Sequence, residues 1–196
     1  MKIIIIILIL ILLYTYSNLK SKKCILDKIY YFKNVLSEKE YNIIKEETKM
    51  LDSKLYLEEY KTQKRHIVNV DKNSVLYNIF YGDKFLNYLA NCLGFKVKRL
   101  NIVPIDYRKY MIGDSMNWHR DTILSNNNCP QIEVVFTIDN NSDSTTIWID
   151  DKTGMKHEIL SEPNSIMITQ GGSVYHKVTQ VMKGYRSIIK IAYDVL

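Results

Sequence analysis

From Lys96 to the C-terminus the sequence shifts from a helical period to a strand period, and this constrains the fold more than any other feature. Val97, Arg99, Asn101 and Val103 alternate with Lys98, Leu100 and Ile102, the two-residue repeat that puts successive side chains on opposite faces of a sheet. Short β-rich runs follow at 106–110, 132–139, 145–150, 156–160, 165–169, 173–177 and 186–195. Turn-forming groups separate them, among them Ser125-Asn126-Asn127-Asn128, Asp139-Asn140-Asn141-Ser142 and Gly171-Gly172.

The part before Lys96 reads differently. Ser37 followed by Glu40 has the form of a capping box and predicts a helix over 38–51, with Tyr41, Ile44 and Thr48 on its buried face. The stretch 52–70 is polar and predicts strand and loop. A second helix is expected over 74–93, with Leu76, Ile79, Phe80, Leu86, Leu89 and Leu93 as its core stripe, a break or bend at Gly82-Asp83 and a stop at Gly94. Helices first and many short strands afterwards predict a mainly β protein with N-terminal supporting helices, a double-stranded β-helix or jelly-roll of the cupin-like kind.

The chain has 196 residues, enough for one sizeable domain. Ile3 to Leu13 form an unbroken aliphatic run, shorter than the roughly 20 residues a spanning helix needs. Tyr14-Thr15-Tyr16-Ser17-Asn18 offers no small-residue cleavage site, so 1–17 is expected to be an uncleaved membrane anchor, with a cleaved signal segment as the alternative. A basic linker at 18–27, carrying Lys20, Lys22 and Lys23, then leads into a single domain at 28–196. These features predict a membrane-associated protein of the endomembrane system or ER. The basic flank favours a cytosolic body, and a secretory route would place it in a lumen. The net charge of +6 is scattered, with no basic, aromatic stripe, so no nucleic-acid partner is expected. The cysteines, Cys24, Cys92 and Cys129, match no zinc or redox spacing.

Only four histidines are present; His66 precedes the β-rich half, and His119 and His176 are two of the three within it. His119-Arg120-Asp121 is an H-x-D triplet; on a strand its first and third side chains share a face, while Arg120 points away. A distal His176 would complete a two-histidine, one-carboxylate set, which leaves open positions on a metal and suits non-haem Fe(II). An H-x-D triplet alone is common, and each histidine has a plain structural alternative: a surface position for His119, a core histidine for His176.

The spacing around the triplet is more specific. Tyr110-Met111-Ile112-Gly113 precedes it, with Gly113 six residues before His119, and Arg186 lies ten residues after His176. Over 107–195 this arrangement resembles the 2-oxoglutarate/Fe(II)-dependent dioxygenase superfamily, and within it the prolyl 4-hydroxylase-like branch. The resemblance implies an oxidoreductase with His119, Asp121 and His176 as iron ligands. It implies that Arg186 pairs with the distal carboxylate of 2-oxoglutarate, that Tyr110 adds a hydrogen bond there, and that Thr179 lines the same pocket. It further implies O2 as cosubstrate, admits ascorbate, and points to hydroxylation of a peptidyl residue such as proline, with succinate and CO2 released. Arg186 stands where that branch usually has lysine, a fitting exchange because its planar fork donates two parallel bonds to a carboxylate. Met116 stands where many prolyl hydroxylases have an aromatic residue. Small-molecule or nucleobase oxidation, or a non-catalytic jelly-roll binding module, are the alternatives.

Overall fold

The computed structural model describes residues 26–125 and 127–196. Helix α1 spans Glu38–Leu51 and begins with the expected capping box. The Ser37 backbone N–H donates to the Glu40 carboxylate (3.1 Å), while the Glu40 N–H donates to the Ser37 hydroxyl (3.4 Å). The helical stretch expected to break or bend at Gly82-Asp83 breaks there into two helices, α2 at Val75–Phe80 and α3 at Asp83–Leu93. Gly82 explains the break: a Cβ there would lie 2.4 Å from the Asn78 carbonyl oxygen, so only glycine lets the chain turn this tightly. Gly94, at φ 77°, caps α3 in the left-handed conformation.

The strands are β1 (Tyr30–Lys33), β2 (Tyr56–Tyr60), β3 (Gln63–Asn69), β4 (Val97–Arg99), β5 (Asp106–Tyr110), β6 (Ser115–His119), β7 (Ile132–Asn140), β8 (Thr146–Ile149), β9 (Lys156–Ile159), β10 (Ser165–Gln170), β11 (Tyr175–Val178) and β12 (Arg186–Val195). They form one 12-stranded sheet in the order β1-β10-β7-β12-β5-β3-β6-β11-β8-β9, with β2 on β3 and β4 on β12. This sheet closes over on itself. Arg186 on β12 donates to the Thr146 hydroxyl on β8 (2.9 Å), although β5, β3, β6 and β11 separate them in strand order. Strand β3 turns the corner, pairing with β5 through His66 to Asn69 and with β6 through Gln63 and Lys64. The result is the double-stranded β-helix, with helices packed outside. The alternating stretch that starts at Val97 pairs only as far as Arg99 and then turns, with the Val103 N–H returning to the Leu100 carbonyl (3.4 Å) and Pro104, which lacks a donor, following.

Parity along β7 and β12 divides the interior. Ile132, Val134, Phe136 and Ile138, with Ile189, Ile191 and Tyr193, face the helices and pack with Ile44, Leu76, Phe80, Phe85 and Leu89. Residues one position out of phase, including Val135, Arg186, Ile188 and Lys190, face the cavity between the two halves. Each strand therefore builds a greasy outer core and a mixed inner wall.

The expected membrane localisation does not stand. Among the described residues no helix is long and apolar enough to cross a membrane; α1, at 14 residues, is amphipathic and falls short of the roughly 20 required. The Ile-rich run on which that expectation rested lies outside the described residues. The packed unit extends slightly further toward the N-terminus than expected, because Leu26 is buried and its N–H donates to the Gln170 side chain (2.8 Å). Cys92 is free and Cys129 is disulfide-bonded.

Candidate metal centre and cosubstrate pocket

The neighbouring strands β6 and β11 bring the two histidines together. His119 ends β6 and stands directly opposite His176 on β11, with ring centroids 4.3 Å apart. Each ring folds its Nδ1 onto a carbonyl two residues earlier: His119 onto Asn117 (2.8 Å) and His176 onto Val174 (2.9 Å). A carbonyl can only accept, so Nδ1 carries the hydrogen in both. The neutral ring then presents a lone pair at Nε2. Burial, and then the neighbouring His176, pull the His119 imidazolium pKa down, which favours that neutral form.

Asp121 lies just past the end of β6, so its backbone is not held by the ladder there. The Gly172 N–H holds it instead, donating to the Asp121 carbonyl (2.8 Å). The carboxylate Oδ1 lies 4.0 Å from His119 Nε2 and Oδ2 lies 3.8 Å from His176 Nε2. These distances are too long for hydrogen bonds and lie within twice a metal–ligand bond of about 2.1 Å. One ligand atom from each of the three residues falls within 4.8 Å of the others. His119 Nε2 is buried with no hydrogen-bond partner among the described residues. Two imidazole lone pairs and a carboxylate around one point, one of them an orphaned buried nitrogen, fit a divalent metal such as Fe(II).

Arg186 opens β12 and is 1% exposed. Thr146 accepts one of its N–H groups, but among the described residues its Nε has no partner and no acidic side chain acts on it. Burial lowers its pKa, opposed by Tyr110. Arginine does not deprotonate in proteins, so this is a buried cation lacking a counter-ion, a costly arrangement unless an anion joins it. Tyr110 lies opposite Arg186 in the β5–β12 register and lines the same cavity. Val135, Met167, Val178 and Ile188 make the walls apolar.

Thr179 is not among the residues lining the cavity. It follows Val178, which faces inward, so alternation turns it away, and it exchanges hydrogen bonds with Thr145: the Thr145 N–H donates to its hydroxyl (2.8 Å) and its own N–H donates to the Thr145 carbonyl (2.9 Å). Thr146 is the threonine that orients Arg186. Arg120 points outward as alternation requires, pairing with Asp151 (2.9 Å). Trp118 and Tyr175, each one residue before a histidine, stack on that outer face (5.2 Å, 17°). Trp148 lies opposite His176 in register and stacks on His157 (5.1 Å).

Lys190 shares its strand parity with Arg186, but the sequence did not assign it to the metal centre. Its ammonium reaches Asp121 Oδ1 (2.9 Å) and Glu133 Oε2 (3.4 Å). Burial alone would raise the Asp121 carboxyl; Lys190, then His176, more than offset this and hold it well below the usual carboxylate range. The signal was the shared parity of Lys190 with Arg186, four residues apart on one inward face.

No protein-family model and no curated protein matches the sequence. Solved structures do match the fold. A Pseudomonas putida prolyl-4-hydroxylase superposes with a TM-score of 0.67 at 12% identity, over 84% of this chain and 91% of that one. SnoN, a non-heme alpha-ketoglutarate-dependent epimerase from nogalamycin biosynthesis, gives 0.69 at 8% identity, over 86% and 78%. A Trichoplax adhaerens prolyl hydroxylase, in complex with a hypoxia inducible factor oxygen degradation domain peptide fragment, gives 0.64 at 11% identity, over 91% and 89%. The chain has the fold of these oxygenases.

Proposed function

We propose that this chain is an Fe(II)- and 2-oxoglutarate-dependent dioxygenase that hydroxylates a C–H bond, most fittingly in a peptidyl residue such as proline. The observation that carries the reading is the pairing, in one cavity, of a metal-competent His119–Asp121–His176 cluster with a buried guanidinium that has no counter-ion among the described residues. A dicarboxylate cosubstrate has one end for each. Bound Fe(II) and 2-oxoglutarate supply, with O2, the oxidising power for attack on an unactivated C–H bond, with loss of succinate and CO2.

The protein's part is orientation and shielding. His119 and His176 offer Nε2 with Nδ1 fixed on the backbone, and Asp121 offers its carboxylate. Arg186, steered by Thr146, is placed to grip the distal carboxylate with two parallel bonds, and Tyr110 stands beside it. Val135, Met167 and Ile188 keep water from the cavity. Residues 28–196 are read as the catalytic domain. The peptide substrate is supported by the prolyl hydroxylase likenesses, one of them with a peptide bound. The comparable likeness to SnoN favours small-molecule oxidation as the second reading. Incubation of the purified protein with Fe(II), 2-oxoglutarate and a panel of proline-containing peptides, with succinate as readout, separates them. Peptide-stimulated succinate release supports the first. Turnover that no peptide stimulates rejects it.

A further inference from the structure

Asp121 differs from the two histidines in that no strand carries it. Its carbonyl is held by Gly172, but its carboxylate needs its own restraint, and one is built into the opposite wall. Lys190 projects from β12 and donates to Asp121 Oδ1 at 2.9 Å; only 18% of its side chain and 10% of the Asp121 side chain are exposed. The lysine is itself held from behind. Glu133 Oε2 lies 3.4 Å from Nζ, and Glu133 Oε1 accepts from Gln131 Nε2 (3.0 Å). The Gln131 side chain also binds the loop that leaves Asp121, donating to the Thr122 carbonyl (2.6 Å) and accepting from the Leu124 N–H (2.9 Å). One chain of contacts therefore fixes both the carboxylate and the loop that presents it. Within it Oδ1 is engaged and Oδ2, 3.8 Å from His176 Nε2, is free.

Resting on the metal reading above, we infer that Lys190 is a positioning residue that occupies Asp121 Oδ1, so that Asp121 gives the metal a single oxygen and leaves room for a chelating 2-oxo acid. A carboxylate free to use both oxygens would fill a position the cosubstrate requires. Lys190 also sets a positive charge beside a divalent cation, so the arrangement sacrifices metal affinity for an open coordination face. Its donor function and its charge thus have opposite and separable consequences.

The test uses the full chain loaded with Co(II) or Mn(II), with metal affinity read by chelator competition and 2-oxoglutarate affinity by calorimetry. Lys190→Met should bind metal at least as tightly as wild type while 2-oxoglutarate binds the loaded protein at least about tenfold more weakly. Lys190→Gln keeps an N–H donor toward Oδ1 without the charge; it should also bind metal at least as tightly, with 2-oxoglutarate affinity close to wild type. In the Co(II) form, the visible spectrum of Lys190→Met should change while that of Lys190→Gln stays close to wild type. Lys190→Met that binds 2-oxoglutarate like wild type, or Lys190→Gln that loses it to the same degree, overturns the inference. Should Lys190→Met fail to fold, Lys190→Gln decides alone: kept affinity for both ligands supports the role, and weakened binding of either rejects it. Wild-type protein that binds no metal sinks the functional reading itself, an outcome distinct from these.

Discussion

At the scale of single residues, the site is built from groups whose surroundings leave them incomplete. Arg186 is a buried guanidinium with Thr146 as its hydrogen-bond acceptor, and a bidentate carboxylate would complete it. Breaking a buried charge pair by removing one partner costs about 3–5 kcal/mol. Arg186→Ala should therefore raise the dissociation constant for 2-oxoglutarate by at least about tenfold with metal binding kept, and Arg186→Lys should be milder, as calorimetry on the metal-loaded protein would show. Asp121→Ala should abolish metal-dependent turnover while circular dichroism still reports the folded sheet; normal turnover in that variant would remove Asp121 from the ligand set. Much of this site was legible in the sequence. The H-x-D triplet, the distal histidine and the arginine ten residues on could be read directly. Lys190 could not, because parity shows which face a residue occupies but not which groups from other strands wait there. Thr179 failed for a related reason: a nearby position in sequence lay across a strand end, where alternation turned it outward.

At the scale of elements, glycine turns and helix caps place the working strands. Gly172 opens the approach to β11 at φ 73°, and a Cβ there would come within 2.9 Å of Ile123 Cδ1. Its N–H also holds the Asp121 carbonyl. Gly172→Ala should cost roughly 1–2 kcal/mol in chemical denaturation through the left-handed backbone, and it should weaken metal binding through displacement of Asp121. Unchanged metal affinity would show that the turn does not position the ligand. At α1, Ser37→Ala removes one half of the capping box and should cost about 1 kcal/mol with activity kept. The capping box, Gly94 and the end of α1 were readable because they depend on local chemistry. Strands β1, β2 and β6 were harder. They are short, their burial pattern is mixed, and β2 is largely exposed, so periodicity marks them weakly. What makes them strands is pairing with distant segments, as β1 does with β10 and β6 with β11.

At the scale of the whole molecule, the jelly-roll separates stability from chemistry. The outer core of aliphatic and aromatic residues between sheet and helices holds the fold, and the inner wall is free to carry charge. Metal and cosubstrate should then act as ligands of an already folded protein. At a free concentration 100 times its dissociation constant, each adds about 2.7 kcal/mol of stability. For a domain of this size that raises the melting temperature by several degrees, at roughly 2–4 °C per kcal/mol. Titration of 2-oxoglutarate into the anaerobic wild-type protein, with and without Fe(II), tests whether metal centre and arginine bind one cosubstrate between them. Tight binding that requires the metal and is lost in His176→Ala is the predicted result. Binding that is equal with and without metal, or absent in both cases, would contradict it.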